Sequence, residues 1–204
     1  AFDVLGSIII NRGIVGRDAW ARMDSYAMFI GEDRVLYEMN GYVPQRVVNR
    51  ALEAAMAGFS EAEIATTQCF SYLNGSHSTF VVRLPDGKAF AYDKLTGKLH
   101  QRTALGSSFN LVHYARFNGY HVVASDTGDR IYTWDENVYS DAGTPIERIA
   151  MVHVPVSEKM PIANMTLDIK TYGQPLSGQG SNPKAFITFY RDAGSLDSLH
   201  QIGV

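Results

Sequence analysis

Paired apolar runs closed by tight Gly- or Asp-bearing turns dominate this chain, and they restrict it to a β architecture. Residues 25–30 and 34–39 flank "GED", residues 78–84 and 89–93 flank "PDGK", and residues 120–125 and 130–135 flank "DTGD". β-Branched and aromatic side chains on both sides of a short polar turn are the signature of a hairpin. Asp86-Gly87 and Thr127-Gly128 supply a residue that tolerates positive φ. The second strand of each pair carries an aromatic residue followed by an acid: Tyr37-Glu38, Tyr92-Asp93 and Trp134-Asp135. A further turn follows each. Additional strands are expected over residues 64–73, 99–103 and 110–117. The outcome is a repeat of roughly 40–55 residues with about four strands each, the period of a propeller blade. A mainly β chain forming a β-propeller or partial propeller of four-stranded blades is the expected fold. A β-sandwich, which also has strands at short intervals, is the alternative.

The repeat is uneven because the first unit carries a helical insertion over about residues 46–58. Asn49 can cap this helix and Gly58 can end it. Leu52, Ala55, Met56 and Phe59 give it one apolar face. Pro44 keeps Val43 extended, so the chain does not turn helical before that point. Ser60 with Glu63 three residues on is a capping box for a second short helix. The pattern changes from residue 146. "IERIAMVHVPV", "MTLDIKTYG" and "KAFITFY" read as strands, "SGQGSNP" as a loop and "RDAGSLDS" as a polar turn. Blades are therefore expected over 1–145, as part of a longer propeller, and a C-terminal β segment over 146–204, either a closing blade or a small annex. The apolar run "AFDVLGSIII" (residues 1–10) is expected to pair with strands outside this chain segment or in a partner.

Composition narrows the chemistry. At 46% hydrophobic and 19% charged residues the chain has the makings of a packed core, and its net charge of -3 gives no general attraction to nucleic acid or anionic membranes. No run of eighteen apolar residues is present. A single cysteine, Cys69, excludes a disulfide framework or a Cys-based zinc site within the chain and reads as an inert core thiol. The six histidines are scattered, and no GxSxG or phosphate-binding loop occurs. "SDTGD" (125–129) and "DAGSLDS" (192–198) have the oxygen-rich look of calcium loops but read first as hairpin turns. If Glu38, Asp93 and Asp135 hold equivalent places in successive blades, they share one rim. Carboxylates so placed fit a glycosidase-like or carbohydrate-binding propeller, and equally fit acids at the solvent ends of strands. Eleven tyrosines, ten phenylalanines and two tryptophans suit packed β structure and protein–protein contact. No catalytic, cofactor or metal-binding residue is expected.

Three segments carry a family resemblance. "DSYAMFIGEDRVLYEMNGYVPQRVVNRALEAAM" places Tyr37 at a hairpin end, then Asn40, Gly41, Tyr42, Pro44, Gln45 and Arg46, then a helix. "FVVRLPDGKAFAYDKLTGKLHQR" brings Tyr92, Asp93, Thr96, Gly97, His100 and Arg102. "LSGQGSNPKAFITFYRDAGSLDS" brings Gly178, Gln179, Gly180, Pro183, Asp192 and Gly194, with Ala193 and no tryptophan where the pattern departs. In this order they resemble the packaged-DNA stabilisation proteins, the tail accessory or tail-hub proteins, of short-tailed phages. The resemblance implies a propeller-bearing structural protein of the virion tail, made in the host bacterial cytoplasm and acting without cofactors. It implies assembly with other copies of itself in a ring below the portal or an adaptor protein. There it would retain packaged DNA and anchor the tail needle and tailspikes, with no specific nucleic-acid sequence read.

Overall fold

The computed structural model describes residues 10, 12–103, 109–126, 130–135, 138, 140–141, 144–146, 149–150, 186–190 and 198–203. The chain divides into two compact units, Ala1–Asp135 and Glu136–Val204. The first holds three antiparallel meanders. Strands β1 (Trp20–Arg22), β2 (Ala27–Ile30), β3 (Leu36–Asn40) and β4 (Val43–Val47) form one four-stranded sheet in sequence order. Two short helices follow, α1 (Arg50–Ala57) and α2 (Glu61–Ile64). Strands β5 (Gln68–Asn74), β6 (His77–Arg83), β7 (Ala89–Asp93) and β8 (Lys98–Arg102) form a second sheet of the same kind. Strands β9 (Leu111–Phe117), β10 (Tyr120–Ser125) and β11 (Ile131–Trp134) form a third, three-stranded among the described residues. The second unit shows two small antiparallel pairs, β12 (Ser140–Asp141) with β13 (Thr144–Pro145), and β14 (Phe186–Tyr190) with β15 (Ser198–Gly203).

The first strands of successive sheets approach one another, β1 against β5 and β5 against β9. Meanders that meet at their first strands and stack face to face are blades arranged about an axis, and the sandwich alternative falls away. Side-chain alternation supplies the packing. On β6, Phe80 and Val82 point into one core with Met28, Ile30 and Leu36 of the first blade, and Val81 points the other way. On β7, Phe90 joins the first core while Ala89 and Ala91 join Val81, Phe70 and Phe109 in the second. A sheet clamped between two others must be apolar on both faces, which is why Thr79, Phe80, Val81 and Val82 are all buried in one run. The small Ala89 and Ala91 leave room for the larger Tyr72, Tyr114 and Trp134 of the second core.

The helices close the first core from outside. Asn49 Oδ1 accepts from Leu52 N at 3.0 Å, and Leu52, Met56 and Ile64 are buried against the blades. Ser60 and Glu63 form a reciprocal capping box, whose hydrogen bonds from Ser60 hold the Glu63 carboxyl below its usual range. Arg34, in the left-handed region at φ 63°, donates to Met56 O at 3.2 Å and Ala57 O at 2.9 Å. The β2–β3 turn thus satisfies carbonyls that α1 leaves open at its end. Gly16 touches the same helical layer so closely that a Cβ there would lie 2.1 Å from Ala65 O.

Two boundaries differ from expectation. The insertion expected over 46–58 begins later, because residues 43–47 form the outer strand β4 and the helix spans Arg50–Ala57. Pro44 is compatible with β4 because an edge strand tolerates a residue without an N–H. Asn40-Gly41 is accordingly the turn into β4. The strand expected from residue 64 begins at Gln68, because Glu61–Ile64 is helical. The pairing expected for residues 1–10, and the strands expected over 146–156 and 165–173, lie outside the described residues except at a few isolated positions.

Phe80 is fully buried between the first two blades. Phe80→Ala is expected to destabilise the chain by about 3–5 kcal/mol in a denaturant titration, against less than about 1.5 kcal/mol for Phe80→Leu if the site collapses around it.

Candidate functional site

The residues singled out in the sequence fall on turns, outer edges and blade seams rather than around a cleft. Tyr37 lies on β3, on the face turned away from the second blade. It stacks on Phe29 with centroids 5.5 Å apart and donates its OH to Asp33 Oδ2 at 2.6 Å. That hydrogen bond, with burial, pushes the Tyr37 hydroxyl above its usual range. The Arg12 guanidinium lies 5.7 Å from the ring centroid. Asn40 ends β3, and Gly41 takes φ 76° as the first central residue of the two-residue β3–β4 turn. No atom lies near a Cβ built on Gly41, so its requirement is conformational rather than steric. Tyr42 and Gln45 are exposed, and Pro44 is half-buried. Arg46 clasps Glu53 of α1 through both carboxylate oxygens, at 2.9 and 3.0 Å.

The second segment folds into a turn locked by one carboxylate. Asp93 accepts from Leu95 N at 3.0 Å and Thr96 Oγ1 at 2.8 Å, and pairs with His77 Nδ1 at 2.9 Å. Gly97, at φ 65°, returns its N–H to Asp93 O at 2.9 Å. Burial pushes the Asp93 carboxyl up, but the bonds from His77, Thr96 and Leu95 outweigh it and hold the group below its usual value of 3.8. Tyr92 packs on the first core. His100 is exposed on β8. Arg102 reaches into the seam between the second and third blades. Its guanidinium lies 5.4 Å from the Tyr72 centroid and 4.9 Å from that of Trp134, and it donates to Tyr72 Oη. Beside it, Tyr114 Oη and His121 Nδ1 are 2.8 Å apart. This aromatic and cationic seam has no obvious sequence signature, because its members come from β5, β8, β9, β10 and β11.

Strand register corrects the supposed equivalence of the three acids. Counted from the pairs Ile30↔Leu36, Arg83↔Ala89 and Ala124↔Ile131, Asp93 and Asp135 both hold the fifth place. The fifth place of the first blade is Asn40, and Glu38 falls two residues short of it. Glu38 instead receives Lys94 from the second blade, and the Lys94 ammonium lies 5.4 Å from the Tyr26 ring centroid. Arg83 makes the matching tie to the third blade, donating to Phe109 O at 2.8 Å and to Asp126. Glu38 and Asp93 are thus engaged in a blade tie and a turn, not paired across a reaction centre. Asp126 of "SDTGD" holds Arg83, while residues 127–129 lie outside the described residues. Cys69 packs on the first core, where burial pushes its thiol well above the usual range and leaves it protonated. Among the described residues, no group of three His, Cys, Asp or Glu comes together as metal ligands, and no helix is long and apolar enough to cross a membrane. Gly178, Gln179, Gly180, Pro183, Asp192 and Gly194 lie outside the described residues.

A family model described as Bacteriophage P22 Gp10, beta-propeller, matches residues 1–139, which span all three blades. The chain belongs to this phage DNA-stabilisation family. No curated protein matches it. The family description and the blades agree on the fold, and the chain is a structural protein of a phage. Its described motif residues lie at turns, seams and exposed edges.

The Asp93 lock titrates in acid. A carboxyl held below its unfolded value contributes stability that is present above that value and lost as pH falls through the folded one. Stability is therefore expected to drop below about pH 4. Asp93→Asn should flatten that acid limb while leaving stability at pH 7 lower, as read by thermal melts across pH 2–7. An unchanged acid limb would remove Asp93 from the account.

Proposed function

We propose that this protein is a component of the phage tail hub or connector. It assembles with other copies of itself in a ring below the portal or adaptor protein, helps retain packaged DNA, and anchors the tail needle and tailspikes. The observation that carries the reading is the coincidence of the family match with the three blades. Membership makes the protein a structural part of the phage, and the blades provide flat, edge-rich surfaces suited to joining partners. The second unit, almost all of it beyond the family match, is a closing blade or an annex that meets a neighbour. The motif residues Gln45 and Arg46 lie on the outer strand of the first blade and Tyr42 on the turn leading into it, where a partner can reach them. The protein works in the virion tail after synthesis in the host cytoplasm, and needs no cofactor. The competing carbohydrate-active reading relied on three equivalent carboxylates, and the register leaves only two.

Virions assembled without this protein are expected to package DNA and then lose it, and adding the purified chain should restore retention. DNA-filled, infectious particles lacking the protein would overturn the reading.

A further inference from the structure

The three Asn-Gly pairs of the sequence fall one in each blade, and each stands at a two-residue hairpin turn. Asn40-Gly41 leads from β3 to β4, Asn74-Gly75 from β5 to β6, and Asn118-Gly119 from β9 to β10. Gly41, Gly75 and Gly119 take φ of 76°, 55° and 83°, and Asn118 takes 48°. Hairpin turns of this length need left-handed backbone, which glycine and asparagine accept most readily. The fold thus selects this dipeptide for its geometry.

The same dipeptide carries a chemical liability. Asparagine is a thermolabile residue. Its side-chain carbonyl carbon reaches the next backbone nitrogen through a five-membered ring, and glycine has no side chain to shield that nitrogen. A hydrogen bond on either group protects such a pair. Among the described residues, the N–H groups of Gly41, Gly75 and Gly119 and the side-chain amides of Asn40, Asn74 and Asn118 have no hydrogen-bond partner. No atom lies within 4 Å of a Cβ built on any of the three glycines, so the turns also have room to rearrange. Asp86-Gly87, a turn of similar composition, is held at both points. Gly87 N donates to Leu84 O at 2.9 Å, and Asp86 Oδ1 accepts from Lys88 N at 3.0 Å. Asn49 is held too, accepting from Leu52 N at 3.0 Å.

We infer that the Asn-Gly turns of the three blades are sites of spontaneous deamidation, and that at Asn40 the product carries the first blade's counterpart of Asp93 and Asp135. The Gly41 nitrogen gives its proton to a solvent base and attacks the Asn40 side-chain carbonyl carbon. The bond to the side-chain nitrogen breaks, and that nitrogen leaves as ammonia with a proton from water. Water then opens the cyclic imide at either carbonyl. One opening gives aspartate, and the other gives isoaspartate, with the main chain running through the former side-chain carbon. No oxidant or reductant takes part.

The consequence is largest at position 40. Asn40 holds the fifth place of its blade, where the second and third blades carry Asp93 and Asp135. It lies two residues from Glu38 on the same face of β3, so an aspartate there sets a second carboxylate beside the Glu38–Lys94 tie. The isoaspartyl product lengthens the main chain by one carbon and displaces the Asn40↔Val43 pair that sets the β4 register. Tyr42, Gln45 and Arg46 follow directly, so the exposed motif edge of the first blade changes as the protein ages.

Peptide mapping by mass spectrometry, on the full chain aged folded and in denaturant at mildly alkaline pH, tests this. Turn tips open at almost no free-energy cost, so Asn40, Asn74 and Asn118 should convert in the folded chain within about tenfold of the denatured rate. Each should give paired aspartyl and isoaspartyl products, and mildly acidic buffer should slow all three. Asp86 should isomerise, and Asn49 deamidate, in denaturant only. Asn40→Gln, which closes only a less favourable six-membered ring, should remove the first-blade products and leave the other two sites unchanged. Asn40→Asp should reproduce the ion-exchange shift of the aspartyl product. A folded chain that keeps Asn40 as the amide while the denatured chain converts it would overturn the inference. So would equal conversion of Asp86 and Asn40 in the folded chain, because the hydrogen bonds would then decide nothing.

Discussion

Everything in the first unit depends on the second blade being apolar on both faces. Phe80, Val82 and Phe90 face one neighbour while Val81, Ala89 and Ala91 face the other. Each buried side chain contributes on the order of 1.5–3 kcal/mol through removal of apolar surface from water, before the entropy of ordering is counted. The division between large and small residues also sets the spacing. Bulky residues on one side pack against Ala19, Met28 and Ile30 together with the helices. Alanines on the other side admit the aromatic rings and the Arg102 guanidinium. A single inversion of the β6 register would send Phe80 into the alanine side and Val81 into the helical side, so the packing fixes the register more firmly than the hydrogen bonds do.

The helical insertion belongs to that same constraint. The chain needs to pass from the outer strand of one blade to the inner strand of the next, a crossing that β4 and β5 do not accomplish alone. The helices make the crossing and cap the exposed end of the first core with Leu52, Met56 and Ile64. Their own ends are satisfied locally, by Asn49, by the Ser60–Glu63 box, and by Arg34 reaching across from the β2–β3 turn. Arg34 has to adopt positive φ to do so, a strain of order 1 kcal/mol that two carbonyl contacts offset.

Much of this was legible in the sequence, for reasons visible in particular residues. The hairpins were legible because alternating β-branched and aromatic residues flank glycine turns, and the helix caps because Asn49, Ser60 and Glu63 stand at the required spacing. The helical insertion was begun too early, at residue 46, because Pro44 breaks an interior strand but not an edge strand, and nothing local says that β4 is an edge. The equivalence of Glu38 with Asp93 failed for a related reason. The aromatic-acid pair recurs in the sequence, but the first blade turns into β4 after Asn40 with only Gly41 and Tyr42 between, whereas the second takes residues 94–97. Register is a property of paired strands, and a motif read on one strand does not contain it. The left-handed Arg34 and the Arg102 seam were illegible for the same reason: their partners are 22 and more residues away in the chain.

The polar ties complete the account of why a propeller serves as a structural part. Apolar packing between blades is strong but non-directional, and by itself would let one sheet slide on another. Each seam therefore carries directional ties, among them Lys94 to Glu38 between the first and second blades and Arg83 to Phe109 O and Asp126 between the second and third. Exposed pairs of this kind add little to stability, and Lys94 is partly exposed, so the first clamp acts mainly to orient. Arg83 is more enclosed and bonds a backbone carbonyl as well as a carboxylate, so losing it would strand two acceptors at once. The stronger clamp thus holds the third blade to the second.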